Sequence, residues 1–136
     1  MGARTNDPVR TIMGAPVVAL EPETTLGTAA MVLRDKQIGA LAVVGGGRLV
    51  GLLSERDVVA AVADGADTDV VTVADVMSDH PFPVSPSTTI KEAADFMLKA
   101  GVRHLPVTEA DGVVGMVSIR DALDAYDARS RAAPGT

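Results

Sequence analysis

The residues best suited to chemistry occur twice. Positions 51–57 read Gly51-Leu52-Leu53-Ser54-Glu55-Arg56-Asp57, and positions 115–121 read Gly115-Met116-Val117-Ser118-Ile119-Arg120-Asp121. A serine with an aspartate three residues later is a capping box, in which hydroxyl and carboxylate satisfy N–H groups of a first helical turn. A carboxylate there also suits the helix macrodipole. The same arrangement offers binding chemistry, because a carboxylate can accept from both hydroxyls of a cis-diol such as ribose. N–H groups at a helix start suit a phosphate. The two roles are compatible. A cap needs neither the preceding glycine nor the arginine, so their recurrence weighs against capping alone.

A second constellation is Val102-Arg103-His104-Leu105-Pro106-Val107, at the entry to an apolar run. Alone, an arginine there is a solvated rim charge and a histidine finds an ordinary partner. Beside Asp121 the pair becomes a candidate phosphate clamp. Protonated His104 is a second cation and neutral His104 is not, which adds a pH handle. The matching stretch, Ile38-Gly39-Ala40-Leu41-Ala42-Val43, carries no charge.

Those correspondences belong to a long internal repeat. Residues 12–62 align without a gap on 76–126, an offset of 64. Identical pairs include Met13/Met77, Pro22/Pro86, Thr25/Thr89, Ala29/Ala93, Leu41/Leu105, Gly51/Gly115, Ser54/Ser118 and Asp57/Asp121. The chain is a duplicated unit, and each copy has the same order of elements. A short strand at 17–20, or at Val84, precedes a proline turn and a helix. Thr24 or Thr25, and Thr88 or Thr89, are the N-cap candidates, and Thr89 with Glu92 fits a capping box. Leu26, Ala29, Ala30 and Leu33, and then Ile90, Ala93, Ala94 and Met97, recur at helical spacing. Strands at 41–44 and 49–53, and at 105–108 and 113–117, follow with turns at 45–47 and 110–112. Each last strand runs straight into a helix beginning at Glu55 or Ile119. The expected fold is α+β, two β-α-β-β-α repeats packed through their sheets with pseudo-twofold symmetry. Such a junction makes paired clefts of the kind that hold small ligands. The expected boundaries are a tail at 1–9, repeats at 10–66 and 67–128, and a frayed tail at 129–136. The acidic stretch 65–72 reads as the crossing between halves.

Composition narrows the function. With 136 residues and no cysteine, the chain has no disulfide framework, thiolate metal site or cysteine nucleophile. A net charge of −6 with 2% aromatic residues lacks the cationic surface and stacking platforms of a nucleic-acid binder. No apolar run approaches a membrane span of roughly 18 residues, and the start reads as neither a secretion signal nor a myristoylation site. A cytoplasmic location is expected. His80 and His104 are too few and too separate for a histidine metal site. The glycines at 45–47 precede a strand rather than a helix, so they make no phosphate loop. Ser54 and Ser118 have no neighbouring base. No catalytic residues and no obligatory cofactor are expected.

The 64-residue repeat, the 102–107 stretch and the two Gly-to-Asp turns together resemble a tandem cystathionine-β-synthase (CBS) domain pair, or Bateman module. The likeness covers about residues 10–127, without an attached enzyme or channel. It implies a regulatory module that binds an adenosine-containing ligand such as AMP, ADP, ATP or S-adenosylmethionine in two inter-repeat clefts. It also implies frequent pairing into homodimers, with a further protein partner unspecified. Carried over by residue, the ribose-binding aspartates are Asp57 and Asp121, with Ser54 and Ser118 beside them. The phosphate-contacting pair is Arg103 and His104. The adenine slot of the Asp121 site is Val17, Val18, Ile38, Gly39 and Ala40; that of the Asp57 site is Pro81, Phe82 and Val102. Gly39 and Ala40 depart from the family pattern, since no cation stands there. Arg56 and Arg120 are either ligand cations or solvated helix-face charges. The Asp121 site is therefore expected to prefer phosphorylated ligands, and the Asp57 site to be empty, weaker or open to a less anionic adenosyl compound. A chain that retained the fold but lost the ligand would be a dimerisation or protein-interaction scaffold.

Overall fold

The computed structural model describes residues 4–79, 81–110 and 112–132, with side chains described as far as Tyr126. Residues 1–3, His80, Asp111 and residues 133–136 lie outside that description. The fold is α+β, with two like repeats. Repeat 1 contains β1 (Ala19–Leu20), α1 (Leu26–Lys36), β2 (Ala40–Gly45), β3 (Arg48–Ser54) and α2 (Glu55–Ala63). A short helix α3 (Val73–Val76) precedes repeat 2, which contains α4 (Ile90–Ala100), β4 (His104–Glu109), β5 (Gly112–Ser118) and α5 (Ile119–Ala132). The expected first strand of repeat 2 is a single parallel bridge, Val84 to Val107. Helix α5 continues through 129–132, where composition pointed to a frayed tail.

The helices begin and end where their chemistry directs. Thr25 Oγ1 accepts from Thr28 N at 3.3 Å, and Thr89 with Glu92 forms the expected reciprocal box at 3.1 Å in both directions. Equivalent residues close the helices in the left-handed region, Gln37 at φ 54° and Gly101 at φ 71°. In repeat 1, β1 pairs parallel to β2, and β2 pairs antiparallel to β3 with Ala40 opposite Ser54. That register brings the entry of β2 beside the end of β3. In repeat 2, β4 and β5 are hydrogen-bonded neighbours.

The chain divides into two compact units whose boundaries differ from those of the sequence repeat. The repeat-1 unit comprises Val17–Pro81 with Asp111–Val113; the repeat-2 unit comprises Met1–Pro16, Phe82–Ala110 and Val114–Thr136. Each unit has its own core. Leu26, Ala29, Leu33, Leu41, Val43, Leu53 and Val73 form one. Val9, Ile90, Ala93, Ala94, Met97, Leu105, Val107, Val117, Ala122 and Ala125 form the other.

The segment leading each sequence repeat therefore completes the unit built from the other. Val73 N donates to Thr24 O at 2.8 Å, and Val9 N donates to Thr88 O at 2.7 Å. Ser78 pairs with Leu52, and Gly14 pairs with Met116. Carbonyls of these segments also satisfy orphan first-turn donors, which a helix start cannot supply internally. Leu26 N donates to Val71 O at 2.8 Å and Ile90 N to Asp7 O at 2.9 Å. Residues 5–9, expected in a tail, thus belong to a core: Thr5 and Val9 are both buried. Stretch 65–72, expected as a plain crossing, caps α1 and leads into α3.

Candidate functional site

In the repeat-2 unit, β5 ends at Ser118 and α5 starts at the next residue. Ser118 Oγ accepts from Asp121 N at 3.1 Å, a serine N-cap. Ile119 N donates to Arg103 O at 2.8 Å, which ties the entry of β4 to the helix start. Arg103, Ser118 and Asp121 are thereby brought together, with His104 adjacent as the first residue of β4. The Asp121 carboxylate makes no hydrogen bond or ion pair among the described residues, and it is half-buried. Arg103 is exposed and has no ion pair among the described residues. Arg120 is exposed on α5. An uncommitted carboxylate and an uncommitted guanidinium at one helix start can accept from a diol and donate to a phosphate.

The equivalent place in the repeat-1 unit is wired differently. Asp57 N donates to Ser54 Oγ at 3.2 Å, and Ser54 N donates to Asp57 Oδ2 at 2.9 Å, so the capping box is closed. Glu55 N donates to Gly39 O at 2.9 Å, which sets Gly39 and buried Ala40 beside this start. No cation replaces Arg103 there, and Arg56 is exposed.

The expected adenine-lining residues divide between the units. Val17, Val18, Ile38, Gly39, Ala40 and Pro81 lie in the repeat-1 unit, Phe82 and Val102 in the repeat-2 unit. Val18 and Ile38 pack against the repeat-1 core, and Val102 packs against the repeat-2 core. Phe82 stacks edge-on against Phe96 of α4, ring centroids 5.3 Å apart. Sequence reading missed that contact, because the two residues lie outside any shared periodicity.

The recurring glycine has a structural reason that sequence reading also missed. A Cβ on Gly51 would sit 2.6 Å from both Met77 Sδ and Ser78 O. On Gly115 it would sit 2.6 Å from Met13 Sδ and 3.1 Å from Gly14 O. The glycine admits the segment crossing over β3 or β5, so its recurrence is no evidence for a ligand. The signal was present in the repeat, where Met13/Met77 and Gly51/Gly115 are both identical pairs. Among the described residues, no three histidine or carboxylate side chains gather as metal ligands. No described helix is long and apolar enough to cross a membrane.

Two copies of this strand-and-helix unit, each starting its last helix with a serine and an aspartate one turn apart, define a CBS-domain pair. The CBS-domain family profile matches residues 9–64 and 73–128, and the chain belongs to that family. It is 30% identical over 114 residues to the CBS domain-containing protein YhcV of Bacillus subtilis, covering 83% of this chain and 81% of that protein. It is 34% identical over 114 residues to hypoxic response protein 1 of Mycobacterium tuberculosis, covering 82% of this chain and 80% of that one. Among solved structures, a CBS domain pair in complex with 5′-methylthioadenosine and S-adenosyl-L-methionine superposes with a TM-score of 0.81. That likeness covers 90% of this chain and 97% of the other at 22% identity, a likeness of fold. CBS-domain pairs are regulatory modules.

Proposed function

We propose that this chain is a ligand-sensing module that binds an adenosine-containing nucleotide, with Asp121 accepting from the ribose diol and Arg103 and His104 meeting the phosphate. The observation that carries this reading is the open state of Asp121. Its cap serine is satisfied, yet its carboxylate is not turned back onto the backbone as Asp57 is. A half-buried carboxylate without a protein partner keeps its acceptors available, and a diol would use them. The second site, at Ser54 and Asp57, binds more weakly, because a ligand there must first displace the Ser54 N–H and finds no Arg103 equivalent. No catalytic role is assigned to either site.

Titration calorimetry with AMP and 2′-deoxy-AMP tests the assignment. One dominant site that discriminates against the deoxy form is expected. Equal binding of both forms would leave Asp121 as a helix-start charge, and no binding by any adenosyl compound would favour the interaction scaffold. Self-association is part of the proposal. It is supported by Val59 (67% exposed) and Val62 (53% exposed), one helical turn apart on α2, with Leu123 (57% exposed) at the α5 position equivalent to Val59. Exposed apolar residues of this kind mark association surfaces when they cluster. Sedimentation is expected to show a dimer that Val59→Asp with Leu123→Asp converts to monomer.

A further inference from the structure

The turns that lead into α1 and α4 follow one backbone path and carry different chemistry. Thr24 N donates to Glu21 O and Thr88 N to Ser85 O, both at 3.1 Å. The residue seated on each turn's proline also corresponds: Ala74 N donates to Pro22 O at 3.0 Å, and Arg10 N to Pro86 O at 3.2 Å. Glu21-Pro22-Glu23 of repeat 1 is therefore the counterpart of Ser85-Pro86-Ser87 of repeat 2. Where repeat 1 has two carboxylates beside an alanine, repeat 2 has two hydroxyls beside an arginine.

Those hydroxyls are accessible. Ser85 and Ser87 are exposed, with their Oγ atoms 2.9 Å apart. Thr88 Oγ1 accepts from Ser85 N at 3.2 Å and lies 3.4 Å from Ser85 Oγ. Neither serine caps α4, whose N-cap is Thr89. Arg10 is exposed, and its side chain has no hydrogen bond or ion pair among the described residues. Two carboxylates on the same stretches are already engaged. Asp7 Oδ2 accepts from Arg4 N at 2.8 Å, and Glu92 Oε1 accepts from Thr89 N and Thr89 Oγ1. The opposing charge is Glu109, which ends β4 at the position of Gly45, a glycine that approaches Pro22 in repeat 1.

We propose that Ser85 and Ser87 are phosphoacceptors of a serine/threonine protein kinase, and that Arg10 holds the phosphate. In the reaction a serine Oγ attacks the γ-phosphorus of a nucleoside triphosphate bound to the kinase. The new O–P bond forms as the bond to the bridging oxygen breaks, the nucleoside diphosphate leaves, and the hydroxyl proton passes to the kinase's base. The product gives repeat 2 the negative charge that Glu21 and Glu23 fix in repeat 1. A phosphoserine carries about two negative charges and three acceptor oxygens, more than a carboxylate offers. The planar fork of an arginine pairs with such a group through two parallel hydrogen bonds. Arg10 and the two serines lie on separate stretches of the repeat-2 unit, so the pair adds a charged link where backbone bonds already join them. None of these residues belongs to the nucleotide site, and the proposal stands or falls without it.

Two measurements test the two halves. Phosphate mapping by mass spectrometry, on the full chain isolated from its own cells in growth and in stationary phase, is expected to place phosphate on Ser85 or Ser87. Absence from both serines in both states would overturn the acceptor assignment, wherever else phosphate is found. For the second half, phosphoserine is incorporated during synthesis at position 85 or 87, with and without Arg10→Ala, and thermal midpoints are compared. At one position or both, the phosphate's effect should be more favourable by roughly 2–4 °C when Arg10 is present. Comparing the two backgrounds cancels the repulsion from Glu109, and the difference should shrink in high salt. The same effect in both backgrounds at both positions would overturn Arg10 as the phosphate's partner.

Discussion

The start of α2 and the start of α5 descend from one motif and differ in what their aspartates do. At α2 the Asp57 carboxylate is consumed by the Ser54 N–H, and the neighbouring strand entry is Gly39-Ala40. At α5 the same serine bond forms, but the Asp121 carboxylate stays uncommitted and the strand entry is Arg103-His104. A closed box stabilises the helix it begins. An open one leaves charge available to a ligand. Duplication thus supplied two equivalent places, and a few substitutions around them left one aspartate committed to the backbone of its own turn and the other uncommitted.

The largest expected effect concerns the glycines beneath both starts. Gly51→Ala should cost about 3 kcal/mol and Gly115→Ala nearer 1–2 kcal/mol, within the range for overpacking. The order follows from the neighbours: the added Cβ meets a backbone carbonyl at 2.6 Å in the first case and at 3.1 Å in the second. Urea unfolding of the two variants measures the difference, and the reverse order would show that the two crossings are not seated as described.

Next in size is the pair of aspartates themselves. Asp121→Ala should weaken AMP binding by roughly 1.5–3 kcal/mol, the range for a charged hydrogen bond, with little change in stability. Asp57→Ala should do the opposite, lowering stability by about 0.5–1 kcal/mol as a box is lost, with little change at the dominant site. Identical effects of the two substitutions would erase the distinction between the starts. Arg103→Ala comes third. Because Arg103 is exposed, its phosphate contact is screened and should be worth about 1 kcal/mol at moderate salt. Its loss should flatten the salt dependence of AMP binding, whereas Arg56→Ala should leave that dependence unaltered.

The smallest effect contrasts α1 with α4. Thr89 N–H and hydroxyl both donate to Glu92 and hold its carboxyl below the ordinary value of 4.5, while α1 has Thr28 at that position. A carboxyl lowered by folding contributes stability above its unfolded value, and that contribution disappears as pH falls through the folded value. Glu92→Gln should therefore reduce stability slightly at neutral pH and converge with the wild type in acid, as thermal midpoints between pH 7 and 3 would show. Asp75, lowered by Thr72, should behave likewise in the other unit.

Much of the local structure was legible in the residues. The spacing of Ile90, Ala93, Ala94 and Met97 marks a buried helical face, and all four are buried. The cap at Thr89, the helix starts at Glu55 and Ile119 and the strand pairs follow from chemistry within a few positions. The first strand of repeat 2 was less legible. One bridging residue, Val84, leaves no alternation to read. Helix α3 was missed because four residues cannot display a helical period.

At the candidate site, sequence alone determined which residues stand at the two helix starts and that only one is accompanied by Arg103 and His104. Those facts are local: caps, turns and strand entries depend on neighbours within one turn. Tertiary structure decided the rest. Identical Ser-x-x-Asp spacing permits both a closed and an open box, and which one forms depends on side-chain rotation that spacing does not encode. Likewise, the leading segments complete the opposite units because their carbonyls and apolar side chains meet partners far along the chain. No window of the sequence contains both halves of such a contact. A glycine that looked like part of a binding motif was there to let another strand pass.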